Sequence, residues 1–220
     1  MYHTVHRACT NWYTGGVVDM DGSHPAGEGE DAPGTGGGRR AHLVNMAVDY
    51  VAAHGLTDLS LRGLGDAIGV SHRMLIHYFG SKEQLLVEIV RTSEQRQRDL
   101  LSQLRLEPGL SPADAARLLW EQLADPRLAG QERLFFEVCG YALRGRPEAA
   151  PVLEGLVNDW LEPLVAAEVG RGVDPAVARN RARLGLATVR GLLLDLLATG
   201  DRAGVDAAMG EFLRLYYDSK

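Results

Sequence analysis

Hydrophobic and polar positions follow a helical period along most of the chain. Apolar residues recur every three or four positions, and the runs end at turn-forming residues such as Gly55, Gly109 and Gly145. The pattern predicts an all-α chain of about nine helices. The first runs from about Arg40 to Ala53, and its apolar face consists of Leu43, Ala47, Tyr50 and Val51.

Two short helices around a tight turn follow the first helix. Ser60 precedes apolar residues at helical spacing, Gly69 permits a positive φ, and Ser71 can cap a helix from His72 to about Tyr78. Two helices joined in this way form the helix-turn-helix pattern, although helical hairpins that bind no DNA share the spacing. The exposed positions of the second helix carry side chains that can contact a base edge or a phosphate, namely His72, Arg73, Met74 and His77.

A longer helix begins immediately after this unit. Ser81 and Gln84 have the spacing of a capping box, which places Lys82 in the first helical turn. The positive end of the helix dipole lies there, so Lys82 is suited to a phosphate contact. The helix is expected to reach about Leu104.

Residues 69–86, GVSHRMLIHYFGSKEQLL, resemble the signature of the TetR family of bacterial transcriptional regulators. Arg73 stands where that family most often has glycine, and Ile76 stands where it usually has a tyrosine whose hydroxyl often contacts the DNA backbone. Ten other positions fit the family pattern in register: Gly69, Val70, Ser71, Leu75, Tyr78, Phe79, Ser81, Lys82, Glu83 and Leu85.

The resemblance implies a three-helix DNA-binding head and a larger α-helical domain for ligand binding and dimerisation. We expect a disordered tail over residues 1–38, a helix-turn-helix domain over 39–83 and the larger domain over 84–220. Arg39 and Arg40 adjoin the first helix and either contact DNA or form a solvated pair. The expected DNA-binding set is Arg39, Arg40, Ser60, Ser71, His72, Arg73, Met74, His77, Tyr78 and Lys82.

Three helical segments are predicted in the middle of the chain, and they carry a group of aromatic residues. Ser111 caps the first, the second runs from about Gln131 to Leu143, and residues 151–169 form a third that Pro163 kinks. An aromatic stripe at helical spacing is more often packed core, but TetR-like proteins keep their ligand among such helices, so the resemblance makes a cavity wall the alternative. The candidate ligand-binding residues are Trp120, Phe135, Phe136, Cys139, Tyr141 and Trp160. Charge is scarce in these helices, so we expect an apolar or mixed small-molecule effector.

The last two helices are predicted over residues 175–199 and 203–217, capped by Asp174 and Asp201. Apolar residues cover more than one face of each, so each must be buried on two sides. One side can pack on the body and the other on a second copy, as family members do; intramolecular burial alone is the alternative. The candidate dimer-interface residues are Leu184, Ala187, Gly191, Leu194, Met209, Phe212 and Tyr216.

Charge is unevenly distributed along the chain. The net charge is −6, yet residues 39–82 contain five Lys or Arg residues against three Asp, a local net charge of +2. Basic character is therefore concentrated in the predicted head, as DNA binding requires. No apolar run is long enough to span a membrane and no secretory signal is visible at the start, so we expect a cytoplasmic protein.

Catalysis is the rival function of a different class. All seven His residues lie within the first 77 positions, and residues 83–220 contain one Cys and no metal-ligand spacing or glycine-rich phosphate loop. We therefore expect no enzyme activity, no cofactor and no metal. The sequence favours a ligand-responsive regulator, most simply a repressor, that binds palindromic operator DNA as a homodimer. The remaining alternative is a helical interaction module that has lost DNA binding.

Overall fold

The computed structural model describes residues 36–54 and 60–218, and these residues form nine α-helices and no strand. The helices are α1 (Gly36–His54), α2 (Leu61–Ala67), α3 (His72–Phe79), α4 (Lys82–Leu106), α5 (Pro112–Leu123), α6 (Ala129–Leu143), α7 (Asn158–Val169), α8 (Pro175–Thr199) and α9 (Arg202–Asp218). Short 3-10 turns over Pro126–Leu128 and Ala150–Leu153 join neighbouring helices. The predicted all-α fold class is confirmed.

Helix α1 begins earlier than the sequence pattern predicts. It starts at Gly36, so residues 36–38, which were assigned to the tail, are helical. The rest of the predicted tail and the predicted stop at Gly55 lie outside the described residues.

The head is built around aliphatic side chains of the first three helices. Leu43, Val51, Leu64 and Leu75 are fully buried, and Phe79 is buried beside them. This core continues without a break into α4 and α6, through residues that include Leu85, Ile89, Leu134 and Val138. Helix α4 therefore belongs to the head core at its start and to the body along the rest of its length.

Polar side chains also join α4 to the head. Arg96 on α4 donates hydrogen bonds to Asp49 Oδ1 at 2.6 Å and to Asn45 Oδ1 at 2.8 Å, and both acceptors lie on α1. Helices α5, α7, α8 and α9 form a second core around Trp120, Trp160 and Leu193. The body is thus a helical layer that shares α4 with the head.

The segment after α6 differs from its prediction. Residues 151–169 are not one helix, because the chain makes a 3-10 turn at Ala150–Leu153, passes through Gly155 at φ +72° and enters α7 only at Asn158. A positive φ interrupts the helical hydrogen-bond pattern, and glycine adopts it without strain. Pro163 lies inside α7, as predicted. None of the helices in the described ranges has the length and apolarity that a membrane span requires.

Candidate nucleic-acid interface and ligand cavity

Cap and turn hydrogen bonds fix the orientation of α2 and α3. Ser60 Oγ accepts from the Gly63 N–H at 3.0 Å, and Ser71 Oγ accepts from the Met74 N–H at 3.2 Å. Gly69 has φ +73°, a conformation in which a side chain would be strained. Each helix therefore begins with the serine that the sequence pattern indicates, and the turn between them is tight.

Gly65 is a further determinant of this turn that the sequence reasoning missed. It is buried in α2, and a Cβ placed on it would lie 2.7 Å from the carbonyl oxygen of Val70. The Val70 N–H donates to the Gly65 carbonyl at 2.8 Å, so the two segments are in direct contact. The sequence signal was a glycine inside a short helix. Glycine lowers helix stability at such a position, so its presence indicates a close contact that a larger side chain would prevent.

Helix α3 buries one face and exposes the other. Leu75 and Phe79 are buried in the head core. His72, Arg73, Ile76 and His77 are exposed, and the spacing of four between His72 and Ile76 and between Arg73 and His77 puts them on one face. Lys82 is exposed in the first turn of α4, whose cap forms when Ser81 Oγ accepts from the Gln84 N–H at 3.1 Å.

Arg40 makes contacts within the chain that the sequence pattern does not indicate. Its guanidinium donates to Glu88 Oε2 at 2.9 Å and to the Tyr78 carbonyl at 3.3 Å, and it lies 5.2 Å from the centre of the Phe79 ring. These contacts tie α1 to the end of α3 and to α4. The Arg40 side chain thus holds α3 in place while 43% of it stays exposed, and its contact with DNA stays a prediction.

The other predicted DNA-binding residues divide into two groups. Met74 and Tyr78 are half-buried and pack against the head core, so they support α3 more than they extend its exposed face. Ser60 and Ser71 are exposed, but their hydroxyl oxygens are occupied as caps. Arg39 is exposed on α1. Arg62, exposed on α2, is a cation of the head that the prediction omitted.

A cavity of about 100 Å³ lies within the second core of the body. Helices α4, α5, α6, α7, α8 and α9 all contribute to its wall. Trp120 and Trp160 line it, and the apolar wall is completed by residues that include Leu101, Leu186, Val189, Leu193, Met209 and Phe212. A mostly apolar cavity enclosed by packed helices is a typical small-molecule site.

The predicted ligand-binding residues are only partly brought together. Trp120, Phe135 and Trp160 line the cavity. Phe136 packs between the two cores, and Tyr141 donates to Glu137 Oε1 at 2.6 Å on the far side of α6, so neither belongs to the cavity wall. Cys139 is buried in the core that joins the head to the body, where burial raises the pKa of its thiol to about 11.

One end of the cavity is polar, and three of its four polar residues come from α4 and α8 instead of the middle helices. Glu94 Oε2 accepts from Trp160 Nε1 at 2.8 Å and from the Arg190 guanidinium at 2.9 Å. Gln97 Nε2 donates to Glu132 Oε1 at 2.9 Å. All four polar residues, Glu94, Gln97, Glu132 and Arg190, line the cavity.

Glu132 is the most perturbed of these groups. It is 3% exposed, and burial together with the nearby Glu94 carboxylate raises its pKa to about 8. Because a buried carboxylate is costly in a low-dielectric interior, the neutral form predominates at pH 7. The sequence carried a signal for this site: Ser93 and Gln97 occupy inward positions of α4 between the apolar residues Val90 and Leu101.

The predicted dimer-interface residues separate into an exposed group on α8 and a less exposed group on α9. Leu184, Ala187, Gly191 and Leu194 are all exposed on α8, at spacings of three and four, and form what we call the α8 stripe. The two leucines are 59% and 53% exposed. By contrast, Met209 is 2% exposed, and Phe212 and Tyr216 line the cavity with it. Met209 is therefore corrected from the dimer interface to the interior of the body, whereas Phe212 and Tyr216 are half-buried and their place in an interface stays a prediction.

Comparison with known proteins identifies relatives for the head. Residues 43–89 match the family model of bacterial regulatory proteins, tetR family. The HTH-type transcriptional regulator BetI of Agrobacterium fabrum is 39% identical over 54 residues, which are 24% of this chain and 26% of that protein. The HTH-type transcriptional repressor KstR2 of Rhodococcus jostii has the same identity and coverage. The match thus spans about a quarter of the length of these curated relatives.

Solved structures extend the comparison beyond the head. A transcriptional regulator from Rhodococcus sp. Rha1 is 26% identical with a TM-score of 0.59, and the match covers 80% of this chain and 96% of that one. A TetR transcriptional regulator from Legionella pneumophila is 18% identical with a TM-score of 0.56, over 77% of this chain and 94% of that one. The second likeness concerns the fold alone. The fold match includes the body as well as the helix-turn-helix unit.

Proposed function

We propose that this chain is a transcriptional repressor of the TetR family of bacterial regulatory proteins, which binds operator DNA as a homodimer and is released by a small-molecule effector. The observation that carries the proposal is the exposed face of α3, which presents His72, Arg73 and His77 beside Lys82. Residues 39–83 would bind DNA in the cytoplasm, and residues 84–220 would bind the effector and the second copy.

DNA recognition would divide between base edges and phosphates. Helix α3 would enter the major groove, with Arg73 as the main candidate for a base contact because its guanidinium can donate two parallel hydrogen bonds. Lys82 at the start of α4 would contact a phosphate, helped by the exposed N–H groups of the first turn. Two heads about 34 Å apart would bind successive major grooves of a palindromic site.

The α8 stripe supports the dimer. Its exposed leucines flank Ala187 and Gly191, and a Cβ placed on Gly191 would meet nothing within 4 Å in a single chain. Small residues between exposed apolar residues let a second helix approach closely, and a C2 dimer would bury the stripe against its own copy. Pairing α8 and α9 of two copies in this way would form a four-helix interface.

Release from DNA would follow from a shift of population. The cavity and the head share α4, since Glu94 and Gln97 line the cavity while Arg96 binds Asp49 on α1. An effector that binds more tightly to the form whose two heads are wrongly spaced for the operator would release the protein from DNA. It can do so only to the extent of its different affinities for the two forms.

A gel shift over a salt series tests the DNA-binding part, using DNA upstream of the protein's own gene. We expect a specific shift that weakens steeply with salt. Arg73→Ala should reduce the preference for that DNA over unrelated DNA by about tenfold or more, whereas Lys82→Ala should weaken both to the same extent and lower the salt slope by about one.

Arg117→Ala is the matched control, because Arg117 pairs with Asp114 on the surface of α5 in the body. Its shift should equal that of the wild type. No specific shift on this DNA or on pooled genomic fragments would contradict the proposal and favour the interaction module that has lost DNA binding.

Sedimentation measurements test the dimer. The double change Leu184→Glu and Leu194→Glu places four carboxylates in the proposed interface of each dimer and should yield a folded monomer. Leu143→Glu is the control, since Leu143 is 76% exposed on α6 away from the stripe. A dimer that survives the double change would exclude the α8 stripe as the interface.

A further inference from the structure

The polar end of the cavity contains more hydrogen-bonding capacity than the protein itself uses. A smaller cavity of about 10 Å³ adjoins it and shares Glu94, Gln97, Glu132 and Phe135 with the main cavity. Ser93 and Gln131 line this smaller cavity and are 4% and 2% exposed. Within the described part of the chain, Ser93 Oγ and Gln131 Oε1 have no hydrogen-bond partner, and the Gln131 amide interacts with the Glu132 carboxyl group.

Unpartnered polar groups at such depth are costly, and native proteins rarely retain them without a use. Here they surround the carboxyl group of Glu132, next to a cavity whose remaining wall is largely apolar. Two acceptors, Ser93 Oγ and Gln131 Oε1, and one carboxyl group therefore converge on a small volume. This arrangement suits a ligand group that donates several hydrogen bonds at once.

The charges at this end distinguish between classes of ligand. Arg190 already pairs with Glu94, and it also donates to the Leu156 carbonyl at 2.9 Å and lies 5.1 Å from the centre of the Phe135 ring. That pair is neutral overall, so Glu132 is a second acid without a cation of its own. A carboxylate ligand would meet two acidic side chains, whereas a cation would pair with Glu132 once that group ionises.

We propose that the effector is an amphipathic organic cation, whose amine group binds at Glu132 beside Glu94 and whose apolar part fills the cavity. This inference rests on the proposed function, because it names the chemical class of the effector. An ammonium group has three donors, which match the Glu132 carboxylate, Ser93 Oγ and Gln131 Oε1.

Binding of the cation is coupled to loss of a proton. Glu132 is mostly neutral at pH 7, since its pKa is about 8, and it must ionise to pair with an ammonium group. The charged groups that act on it are Glu94 on α4 and Arg190 on α8, and the thiol of Cys139 on its own helix lies near the same pair. Affinity for an amine should therefore rise between pH 6 and pH 8, with release of nearly one proton at pH 7.

Three probes with one carbon skeleton test the proposal: 4-phenylbutylamine, 4-phenylbutan-1-ol and 4-phenylbutanoate. Calorimetric titration of the full chain without DNA should show the amine binding about tenfold more tightly than the alcohol, and the carboxylate binding most weakly. Titrations in two buffers of different ionisation enthalpy count the protons released. Glu132→Gln should remove the preference for the amine over the alcohol and the proton release.

Glu137→Gln is the matched control, because Glu137 lies on α6 but contacts Tyr141 outside the cavity. It should behave as the wild type. Tightest binding of the carboxylate, an amine affinity that does not change with pH, or no binding of any probe would overturn the inference. None of these results would affect the gel shift made without effector, so failure of this inference is distinguishable from failure of the proposed DNA binding.

Discussion

The head and the body of this protein bury different kinds of residue. The head core consists of aliphatic side chains such as Leu43, Leu64 and Leu75, each fully buried. The body core contains a cavity and buries Gln131 and Glu132 beside it. Well-packed side chains hold α3 in one orientation, which DNA reading requires, whereas a ligand site requires space and unused hydrogen-bonding groups. The body therefore lacks part of the stability that complete packing of its core would provide, whereas the head has it.

The largest expected effect comes from the same substitution made in both regions. Leu75→Ala should lower the free energy of unfolding by about 2–5 kcal/mol, because it opens a void in a filled core. Leu186→Ala should cost only about 1 kcal/mol, because Leu186 is half-buried and already faces the cavity. Urea denaturation measures both, with Leu143→Ala as an exposed control. Equal losses would contradict the difference in packing.

A smaller effect, on the order of 2 kcal/mol, is expected from the pH dependence of stability. Burial raises the pKa of Glu132 from 4.5 to about 8, so between these values the folded state holds a proton that the unfolded state has released. The stability that this group contributes is present below pH 4.5 and is lost as the pH rises through about 8.

Glu132→Gln removes this titration and preserves an acceptor for Gln97. Its stability relative to the wild type should therefore increase by on the order of 2 kcal/mol between pH 5.5 and pH 7.5, from urea denaturation at each pH. Parallel pH profiles for the two proteins would show that Glu132 is ionised in the folded state. The head offers a comparison, since no buried carboxyl group is found in its described core.

The smallest expected effect is the difference between alanine substitutions of the two neighbouring arginines of α1. Arg40→Ala should lower stability by about 1 kcal/mol, because it removes the contacts to Glu88 and Tyr78, and should weaken DNA binding without changing the salt slope. Arg39→Ala should leave stability within about 0.5 kcal/mol and, if Arg39 contacts a phosphate, reduce the slope by about one. A reduced salt slope for Arg40→Ala would show that Arg40 contacts a phosphate.

The head was largely predictable from the sequence, because its signals are local. Ser60, Ser71 and Ser81 each cap the helix that follows, as their spacing indicates. Gly69 has the positive φ expected of a turn glycine. The contacts of two head residues were not predictable in this way. Arg40 pairs with Glu88 on another helix, and Gly65 packs against Val70 across the turn.

The body was less predictable at the level of single residues. Period and composition indicate which positions of a helix are inward, but not which neighbour each one meets. Thus Met209, Phe212 and Tyr216, which the pattern assigns to a dimer interface, also line the cavity. Phe136 and Tyr141 share α6 with Phe135 and still point away from the cavity, because successive residues on a helix are about 100° apart.

By itself the sequence determined the all-α class, the order of the helices and the helix-turn-helix unit, since capping, glycine turns and apolar spacing act over a few residues. Only the tertiary structure decided that Glu94, Gln97, Glu132 and Arg190 meet at one end of a cavity. These four residues come from three helices up to 96 positions apart, as the Arg190–Glu94 pair shows. No local signal specifies such a meeting, because it depends on how the helices pack and on the energy of burying charge together.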